Sequence, residues 1–303
     1  MPSIAPRQYS ATPPLKLSFL GLGVMGYPMA GHLSAAGHNV TVYNRTASKA
    51  LAWAEEFGGK YAATPREAAQ DADIVMSCVG NDDDLRSVVL GEEGALAGMK
   101  PGACYVDHTT ASANVARELY AQAKAQSLGF VDAPVSGGQA GAVGGLLTIM
   151  CGGDDQHFSQ VEPVLAAYGR AVTHLGAAGA GQLCKMVNQI CVAGVLQGLS
   201  EAIAFGKAAQ LDMHQVLEVI SKGAAQSWQM EHRGGTMVEG RFDFGFAVDW
   251  MRKDLGLVLE EGKRMQASLP VTALIDQFYA DVQRQGGNRL DTSSLITRLE
   301  RHE

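Results

Sequence analysis

The sequence is poor in cysteine, and its cysteines lack the paired spacings that metal sites and disulfide frameworks use. They are Cys78, Cys104, Cys151, Cys184 and Cys191. Their number is odd, no C-x-x-C pair occurs, and the eight histidines are scattered without an H-E-x-x-H arrangement. We therefore expect no metal site and interpret the cysteines as small, buried apolar residues.

The sequence also lacks an excess of basic charge and a long uninterrupted apolar run. Lys and Arg number 24 against 31 Asp and Glu, so the formal net charge is −7, whereas a nucleic-acid-binding protein normally presents a basic face. No apolar stretch approaches the ~20 residues of a membrane span, and residues 1–14 lack the pattern of a signal peptide. These absences predict no nucleic-acid partner, no membrane partner and a cytoplasmic location.

The first 178 residues show a tail followed by an α/β pattern. Residues 1–14, with several prolines and small polar residues, are predicted to be a disordered tail. From 15 to 178, short β-type runs alternate with helical stretches, which predicts a Rossmann-type, doubly wound sheet domain. The predicted strands are 17–20, 40–43, 74–78, 104–107, 130–132, 147–151 and 172–174, and the predicted helices are 25–36, 47–57, 65–70, 85–90, 114–127 and 155–167.

Beyond the glycine-rich stretch GAAGAGQ, residues 176–182, the β signals largely stop. Residues 179–303 are predicted to form an all-α domain for substrate binding and oligomerisation. Its first helix, 183–210, is apolar on most faces, which indicates burial in a core or against another subunit. We therefore expect a homodimer or homotetramer. Further helices are predicted at 213–222, 247–265 and 271–285.

A glycine-rich loop follows the first predicted strand and opens a helix. Its glycines have the spacing G-x-G-x-x-G. In a dinucleotide site the first glycine permits the turn, the second lets the backbone approach the pyrophosphate, and the third allows close helix packing. The N–H groups at the helix N-terminus then face the phosphates. The candidate cofactor residues here are Gly21, Leu22, Gly23, Val24, Met25 and Gly26.

The next predicted strand ends in Asn44, Arg45 and Thr46, where an NAD-selective site has an acid for the ribose 2′-hydroxyl. Asn44 carries no charge that would repel a 2′-phosphate, and the guanidinium of Arg45 is a planar fork suited to one. These three residues are candidate cofactor contacts. They predict NADP(H) in preference to NAD(H).

Two later motifs carry hydroxyls and anion-binding groups. VDHTTAS, residues 106–112, ends a strand with an acid and hydroxyls suited to positioning a nicotinamide or a carboxylate. DAPVSGGQ contains Ser136, Gly137 and Gly138, whose hydroxyl and backbone N–H groups are predicted to form a compact anion cradle.

Two further motifs carry lysines. GAGQLCKMVNQ places Lys185 and Asn188 at i and i+3 on one helix face, with Gln189 at i+4 beside them. RKDLGL adds a second lysine, Lys253. A lysine suits the protonation of a substrate oxygen during hydride transfer, because its ammonium both donates a proton and stabilises developing negative charge.

In this order and spacing, the motifs closely resemble the β-hydroxyacid dehydrogenase family, which includes 3-hydroxyisobutyrate dehydrogenase, tartronate semialdehyde reductase and the glyoxylate/succinic semialdehyde reductases. The resemblance runs from Leu17 to about Ser294. It implies a Rossmann-type first domain, a helical second domain and an NAD(P) cofactor. It also implies interconversion of a small β-hydroxy acid and its semialdehyde or keto acid.

The resemblance also implies roles for individual residues. Lys185 resembles the catalytic lysine, and Asn188 its substrate-orienting neighbour. Ser136, Gly137 and Gly138 resemble the site for the substrate carboxylate. The remaining candidates are Val79, Thr110, Phe246 and Lys253 for the cofactor, and Thr109, Gln189 and Lys253 for the substrate.

Three positions depart from the family pattern. Thr109 stands where serine is usual, Ala113 replaces a common proline, and Gln189 replaces a second asparagine. The first keeps a hydroxyl, the second removes a turn constraint, and the third puts the detailed substrate contact in doubt. Phe246 and Trp228 suit either a substrate pocket or a helical core.

The residues leave other functions open. An NAD-dependent 3-hydroxyisobutyrate dehydrogenase would differ in its cofactor. A 6-phosphogluconate dehydrogenase shares the lysine and asparagine pattern, but it has a larger helical domain and needs basic residues for a sugar phosphate. Imine reductases and non-catalytic cofactor-binding relatives usually lack the lysine, so Lys185 argues against both.

Overall fold

The computed structural model describes residues 4–299, which divide into two compact units at Lys185. The first unit is built on a nine-stranded sheet. Its strands are β1 (Lys16–Leu20), β2 (Asn39–Tyr43), β3 (Lys60–Tyr61), β4 (Ile74–Ser77), β5 (Cys104–Asp107), β6 (Gly129–Asp132), β7 (Val135–Ser136), β8 (Leu147–Gly153) and β9 (Gly169–His174). Its helices are α1 (Gly26–Ala35), α2 (Ala47–Phe57), α3 (Pro65–Ala69), α4 (Asp82–Val89), α5 (Ala95–Gly98), α6 (Ala113–Ala125), α7 (Gly138–Gly144) and α8 (Asp155–Leu165).

The strand order is β3-β2-β1-β4-β5-β6-β8-β7, with β9 paired to β8. The first six strands in this order run parallel, as predicted. The prediction of a parallel sheet is wrong for β8, which pairs antiparallel with β6 and β7. Only residues 137–146 connect β7 to β8, fewer than the dozen or so that a parallel crossover needs.

Buried side chains cover both faces of the sheet. Along β1, Leu17 and Phe19 join one buried cluster and Leu20 joins another, because successive strand residues point to opposite faces. In β5, Val106 and Tyr105 divide between the same two clusters. Strands β1 and β5 are therefore buried on both faces, as in sheets covered by helices on both sides.

The order of strands reverses beside β1, which has β2 on one side and β4 on the other. In doubly wound sheets, ligands bind outside the carboxyl ends of the strands at such a reversal. The loops after β1 and β4 therefore border the expected binding crevice.

The second unit is helical within the described part of the chain, apart from an isolated bridge between Ala247 and Asp291. Its core includes Leu196, Met251 and Tyr279, all fully buried. The α/β class and the helical second part are thus confirmed. The helices are α9 (Ala180–Ala208, which begins in the first unit), α10 (Met213–Ile220), α11 (Trp228–Val238), α12 (Val248–Met265) and α13 (Pro270–Arg284), followed by the 3-10 helix η1 (Thr292–Arg298).

Helix α9 has 29 residues and is long and apolar enough to cross a membrane by length and composition alone. The prediction that no stretch approaches that length is therefore too strict. A core helix gives the same pattern, and 44% of the apolar window is buried inside the protein. The helix also buries the polar side chains of Gln182, Gln189 and Ser200.

The division between the units lies at 185/186 rather than at the predicted 178/179. The reason is local. The carboxylate of Asp132 in β6 accepts hydrogen bonds from the N–H groups of Gly179 (2.7 Å) and Gln182 (2.9 Å). The first turn of α9 therefore packs with the first unit.

The leading segment, residues 4–15, which includes most of the predicted tail over 1–14, contacts the first unit. The guanidinium of Arg7 donates to the carbonyl oxygens of Gly145 and Ala167. The Tyr9 hydroxyl lies 2.8 Å from Nδ1 of His32. Residues 1–3 lie outside the described part of the chain. Single hydrogen bonds of this kind leave no periodic pattern in a sequence.

The cysteines are free thiols in environments that differ. Cys104 and Cys151 are buried, as predicted, and Cys78 and Cys184 are half-buried. Cys191 is exposed on α9, so the prediction of burial is wrong there. The described residues contain no group of three or more His, Cys, Asp or Glu side chains that could hold a metal ion.

Candidate active site

The glycine loop after β1 combines two crowded glycines with an open one. Gly21 has φ +95°, and a Cβ there would lie 2.4 Å from the carbonyl oxygen of Cys78. A Cβ on Gly26 would lie 2.0 Å from the carbonyl oxygen of Gly21. At Gly23, by contrast, no atom of the described chain lies within 4 Å of that position. The first and third glycines are needed by the fold, and the second leaves room for a ligand.

Helix α1 presents its N-terminus beside this space. Among the described residues, no side chain caps the helix start and no acid lies in its first turn. The backbone N–H groups there and the helix dipole favour an anion. Val24 is 51% exposed in the same loop, whereas Leu22 is buried. A dinucleotide pyrophosphate fits this loop in shape and charge.

The three residues after β2 have different surroundings. The side-chain oxygen of Asn44 accepts a hydrogen bond from the Leu22 N–H at 2.9 Å, so Asn44 fastens the glycine loop. The side chain of Arg45 is 86% exposed and pairs with Asp84 of α4 at 3.1 Å. Thr46 is exposed at the start of α2. Asp84 was not predicted as the partner of Arg45, although NDDDL, residues 81–85, is an acidic helix start.

Thr109 braces the loops after β4 and β5. Its hydroxyl accepts a hydrogen bond from the Val79 N–H at 3.1 Å, and its own N–H donates to the Asp107 carboxyl at 3.0 Å. Thr109 is buried and its neighbour Thr110 is half-buried. Two predicted contact positions, Val79 and Thr109, are thus brought together by one hydrogen bond.

Two buried acids, Asp107 and Asp132, lie at the carboxyl ends of β5 and β6. Asp107 accepts a hydrogen bond from Ser77 at 2.8 Å, while its Oδ2 has no partner within residues 4–299. Burial raises the pKa of Asp107 to about 7. Burial also raises the pKa of Asp132 to about 6, opposed by the N–H donors it accepts from.

Gln182 connects the first turn of α9 to the loop after β5. Its side-chain amide donates to the carbonyl oxygen of Thr109 at 2.7 Å and accepts from the Ala111 N–H at 3.1 Å. Lys185 follows three residues later and is only 8% exposed. The sequence analysis missed Gln182 and Asp132. Their positions in GAGQ and at the strand end of DAPVSGG were the available signals.

The predicted anion cradle lies where β7 passes into α7. Ser136 ends the strand and is half-buried, and Gly137 and Gly138 are exposed. Gly137 has φ +130°, and no atom of the chain as described lies within 4 Å of a Cβ on Gly138. The backbone there is open to a small anion.

In the second unit, a chain of polar contacts connects α9 to α12. The side-chain amide of Asn188 donates to Gln189 at 2.7 Å, and that of Gln189 donates to Asp254 at 2.6 Å. The ammonium of Lys253 lies 3.1 Å from the other oxygen of Asp254, as an ion pair. The structure thus brings together three predicted residues around Asp254, which the sequence analysis missed although it follows Lys253 directly.

The aromatic side chains and His108 have mainly structural surroundings. Phe246 packs partly buried against the core of the second unit, and Trp228 stacks on His232. His108 contacts the carbonyl oxygen of Ala133 at 2.6 Å and the hydroxyl of Tyr168 at 2.8 Å. Burial lowers the pKa of His108 to about 4, so the ring is neutral at neutral pH.

Two family models match the chain. Residues 16–176 match the NAD binding domain of 6-phosphogluconate dehydrogenase, and residues 179–299 match the NAD-binding domain of NADP-dependent 3-hydroxyisobutyrate dehydrogenase. Together they cover most of the described residues.

Three similar proteins span nearly the whole chain. An "Uncharacterized oxidoreductase" of Shewanella frigidimarina is 63% identical over 94% of this chain and 98% of that protein. The 2-hydroxy-3-oxopropionate reductase of Escherichia coli is 35% identical over 94% of this chain and 97% of its own length. The solved structure of Mycobacterium tuberculosis 3-hydroxyisobutyrate dehydrogenase with L-serine has a TM-score of 0.85 and 30% identity, covering 95% of this chain and 100% of that one.

Because Gly26 is crowded and Gly23 is open, substituting one should affect folding and substituting the other should affect cofactor binding. Gly26→Ala should lower the melting temperature of the protein without cofactor, because overpacking costs about 1–3 kcal/mol. Gly23→Ala should melt like the wild type but bind NADPH weakly, because its methyl group enters the open space. Thermal unfolding and fluorescence titration with NADPH measure the two effects. Wild-type NADPH affinity in Gly23→Ala would contradict the assignment.

The buried acid Asp107 predicts a pH dependence of stability. Its pKa rises from 3.8 to about 7 on folding, so between these values the folded state holds more protons. The free energy of unfolding should therefore fall as pH rises through this window, by up to about 1.4 kcal/mol per pH unit for one proton.

Asp107→Asn keeps the accepting oxygen and removes the titration, so its melting temperature should vary less with pH across this window. Asp243→Asn, at an exposed aspartate, is the control and should retain the wild-type slope. An unchanged slope in Asp107→Asn would show that another group carries the dependence.

Proposed function

The chain belongs to the β-hydroxyacid dehydrogenase family of NAD(P)-dependent oxidoreductases, and we propose that it uses NADP(H) to interconvert a small β-hydroxy acid and its semialdehyde or keto acid. The observation that carries the proposal is the placement of Lys185. It lies buried in the first turns of α9, three residues after Gln182, which hydrogen-bonds to Asp132 and to the loop after β5. We propose Lys185 as the general acid/base.

The proposed substrate is a short carboxylate with an aldehyde, keto or hydroxyl group. The exposed backbone at Gly137 and Gly138, with open space beside Gly138 and the hydroxyl of Ser136, supports a site for the carboxylate. The similar E. coli protein is a 2-hydroxy-3-oxopropionate reductase, which agrees in substrate class.

The proposed chemistry needs one proton transfer beside the reacting carbon. When bound, the dinucleotide supplies or accepts the hydride. In the reductive direction, the ammonium of Lys185 donates a proton to the substrate oxygen and stabilises the negative charge that develops there. The low exposure of Lys185 strengthens this electrostatic contribution, because little water screens the charge.

We propose supporting roles for the polar chain of the second unit. Asp254 holds the Gln189 amide, which in turn accepts from Asn188, so the amide groups beyond Lys185 have fixed orientations. Asn188 and Gln189 would orient the substrate, and Lys253, paired with Asp254, would attract a carboxylate or phosphate. A buried network of this kind keeps its geometry because each amide group has a partner.

The proposed NADP(H) preference depends on Arg45. Its exposed guanidinium can form two parallel hydrogen bonds to a ribose 2′-phosphate. Asp84 competes for the same guanidinium at 3.1 Å. Because an exposed ion pair is worth about 0–1 kcal/mol, a doubly charged phosphate displaces it readily.

The ion pair between Arg45 and Asp84 also favours a second candidate function, in which the enzyme uses NAD(H). Asp84 partly neutralises Arg45 and places a negative charge near the proposed 2′-phosphate position. An enzyme with this pair would discriminate less strongly between the two cofactors than one with an isolated arginine.

We further propose a cytoplasmic homodimer or homotetramer. Helix α9 leaves Val187 (61%), Val195 (39%) and Phe205 (75%) exposed. Apolar side chains of this size on one long helix support association with a second copy.

Replacing the proposed acid/base tests the mechanism. Lys185→Ala should lower kcat for succinic semialdehyde, glyoxylate or tartronate semialdehyde by about 10²- to 10⁴-fold, while the Kd for NADPH stays unchanged. Lys222→Ala, at an exposed lysine paired with Glu218, is the control and should retain wild-type kcat. Turnover within a few-fold of wild type in Lys185→Ala would refute the assignment.

A pair of substitutions tests cofactor choice. Arg45→Ala should reduce the NADPH-to-NADH ratio of kcat/KM by about ten- to a hundredfold, the loss expected for charged hydrogen bonds. Asp84→Asn should raise that ratio by up to about fivefold, because it releases Arg45. Arg66→Ala, at an exposed arginine of α3, should change nothing. An unaltered ratio in Arg45→Ala would remove the basis for NADP(H) preference.

A further inference from the structure

The leading segment lies outside both matched ranges, which begin at residue 16, and its contacts converge on one short helix. The Ala5 N–H donates to the carbonyl oxygen of Val143 at 2.8 Å. Arg7 donates to the carbonyl oxygen of Gly145, which directly follows α7, and to that of Ala167 at 3.1 Å. The segment thus holds the C-terminal end of α7.

A residue of α1, His32, also contacts the C-terminal end of α7. The imidazole Nε2 of His32 lies 3.1 Å from the carbonyl oxygen of Ala142 and 3.0 Å from that of Val143. Its Nδ1 meets the hydroxyl of Tyr9 at 2.8 Å. Burial lowers the pKa of His32, so the ring is neutral and has one donor. Nε2–H therefore donates to the carbonyls and Nδ1 accepts from Tyr9.

Helix α7 needs such support because its own sequence favours a helix poorly. It reads GQAGAVG, and three of its seven residues are glycine, which is among the least favourable residues in a helix. The carbonyl groups at a helix end also need partners from elsewhere, and a cation there is favourable for the helix dipole. Arg7 supplies both.

The other end of α7 carries the proposed carboxylate site. Gly137 immediately precedes the helix and Gly138 is its first residue. Because α7 has only two turns, movement at its C-terminal end displaces the backbone N–H groups at its N-terminal end. The geometry of the cradle therefore depends on what holds the far end.

We propose that the leading segment is a strap whose Arg7 and Tyr9 position α7, and through it the site for the substrate carboxylate. Arg7 is a positioning residue, since it acts through the helix and touches neither substrate nor cofactor. The inference rests on the proposed function, because it takes residues 136–138 as the carboxylate site. His32 belongs to α1, which begins at the glycine loop, so the strap braces the substrate helix against the cofactor helix.

Steady-state kinetics of the full chain with succinic semialdehyde and NADPH test the strap. Arg7→Ala should raise the KM for succinic semialdehyde by about five- to tenfold, because only part of the free energy lost with its charged hydrogen bonds reaches a site at the other end of α7. The kcat and the Kd for NADPH should stay within about twofold, because Lys185 and the glycine loop are untouched. Arg170→Ala, at an exposed arginine of β9, is the matched control and should leave KM unchanged.

Two conservative variants separate positioning from general stability. Arg7→Lys keeps a cation and one donor, and it should restore more than half of the lost substrate affinity. Tyr9→Phe removes only the hydroxyl that orients His32, and it should raise KM by a smaller factor without changing kcat. Tyr9→Phe decides the matter if Arg7→Ala does not fold. An unchanged KM in Tyr9→Phe, or a loss of NADPH affinity in either variant equal to its loss for substrate, would overturn the strap.

Ser136→Ala distinguishes failure of the strap from failure of the proposed function. If Ser136→Ala raises KM and Arg7→Ala does not, the carboxylate site stands and the strap is wrong. If Ser136→Ala leaves KM unchanged, the carboxylate site itself is wrong. If both raise KM, the double variant should raise it by less than the product of the two factors, because both act on one element.

Discussion

The buried carboxylate of Asp132 accepts hydrogen bonds from two backbone N–H groups at the start of α9, and the position of Lys185 depends on these bonds. The backbone segments on both sides of this contact approach each other so closely that each requires glycine. A Cβ on Gly181 would lie 2.3 Å from the carbonyl oxygen of Met150, and one on Gly152 would lie 2.7 Å from Asp132 itself. Burying a carboxylate is costly, and the N–H donors offset part of that cost.

Helix α9 is held on both sides of Lys185 along its own length. Before the lysine, Gln182 hydrogen-bonds to the loop after β5, and after it, Gln189 hydrogen-bonds to Asp254 of α12. A lysine has high rotational freedom, so a fixed backbone on either side limits the positions that its ammonium samples. Gln182 and Gln189 thus fix this helix where the proposed chemistry needs order.

Local patterns predicted much of the fold and of the site, because they report local constraints. The crowding at Gly21 and Gly26 requires glycine, so their spacing predicted the loop, and short apolar runs predicted the buried strands of the sheet. Strand β3 and strand β7 have two residues each and are too short for a period to register. Gln182 and Asp254 were missed because each acts through single hydrogen bonds to segments distant in sequence, which no periodicity records.

The continuity of α9 makes its length, and not only its composition, part of the site. An α-helix turns about 100° per residue, so inserting or deleting one residue between Lys185 and Gln189 would rotate every downstream side chain by that angle. Gln189 would then leave Asp254 even though each residue type was retained. The number of residues in this stretch is therefore a constraint of its own, additional to the side chains that Lys185, Asn188 and Gln189 contribute.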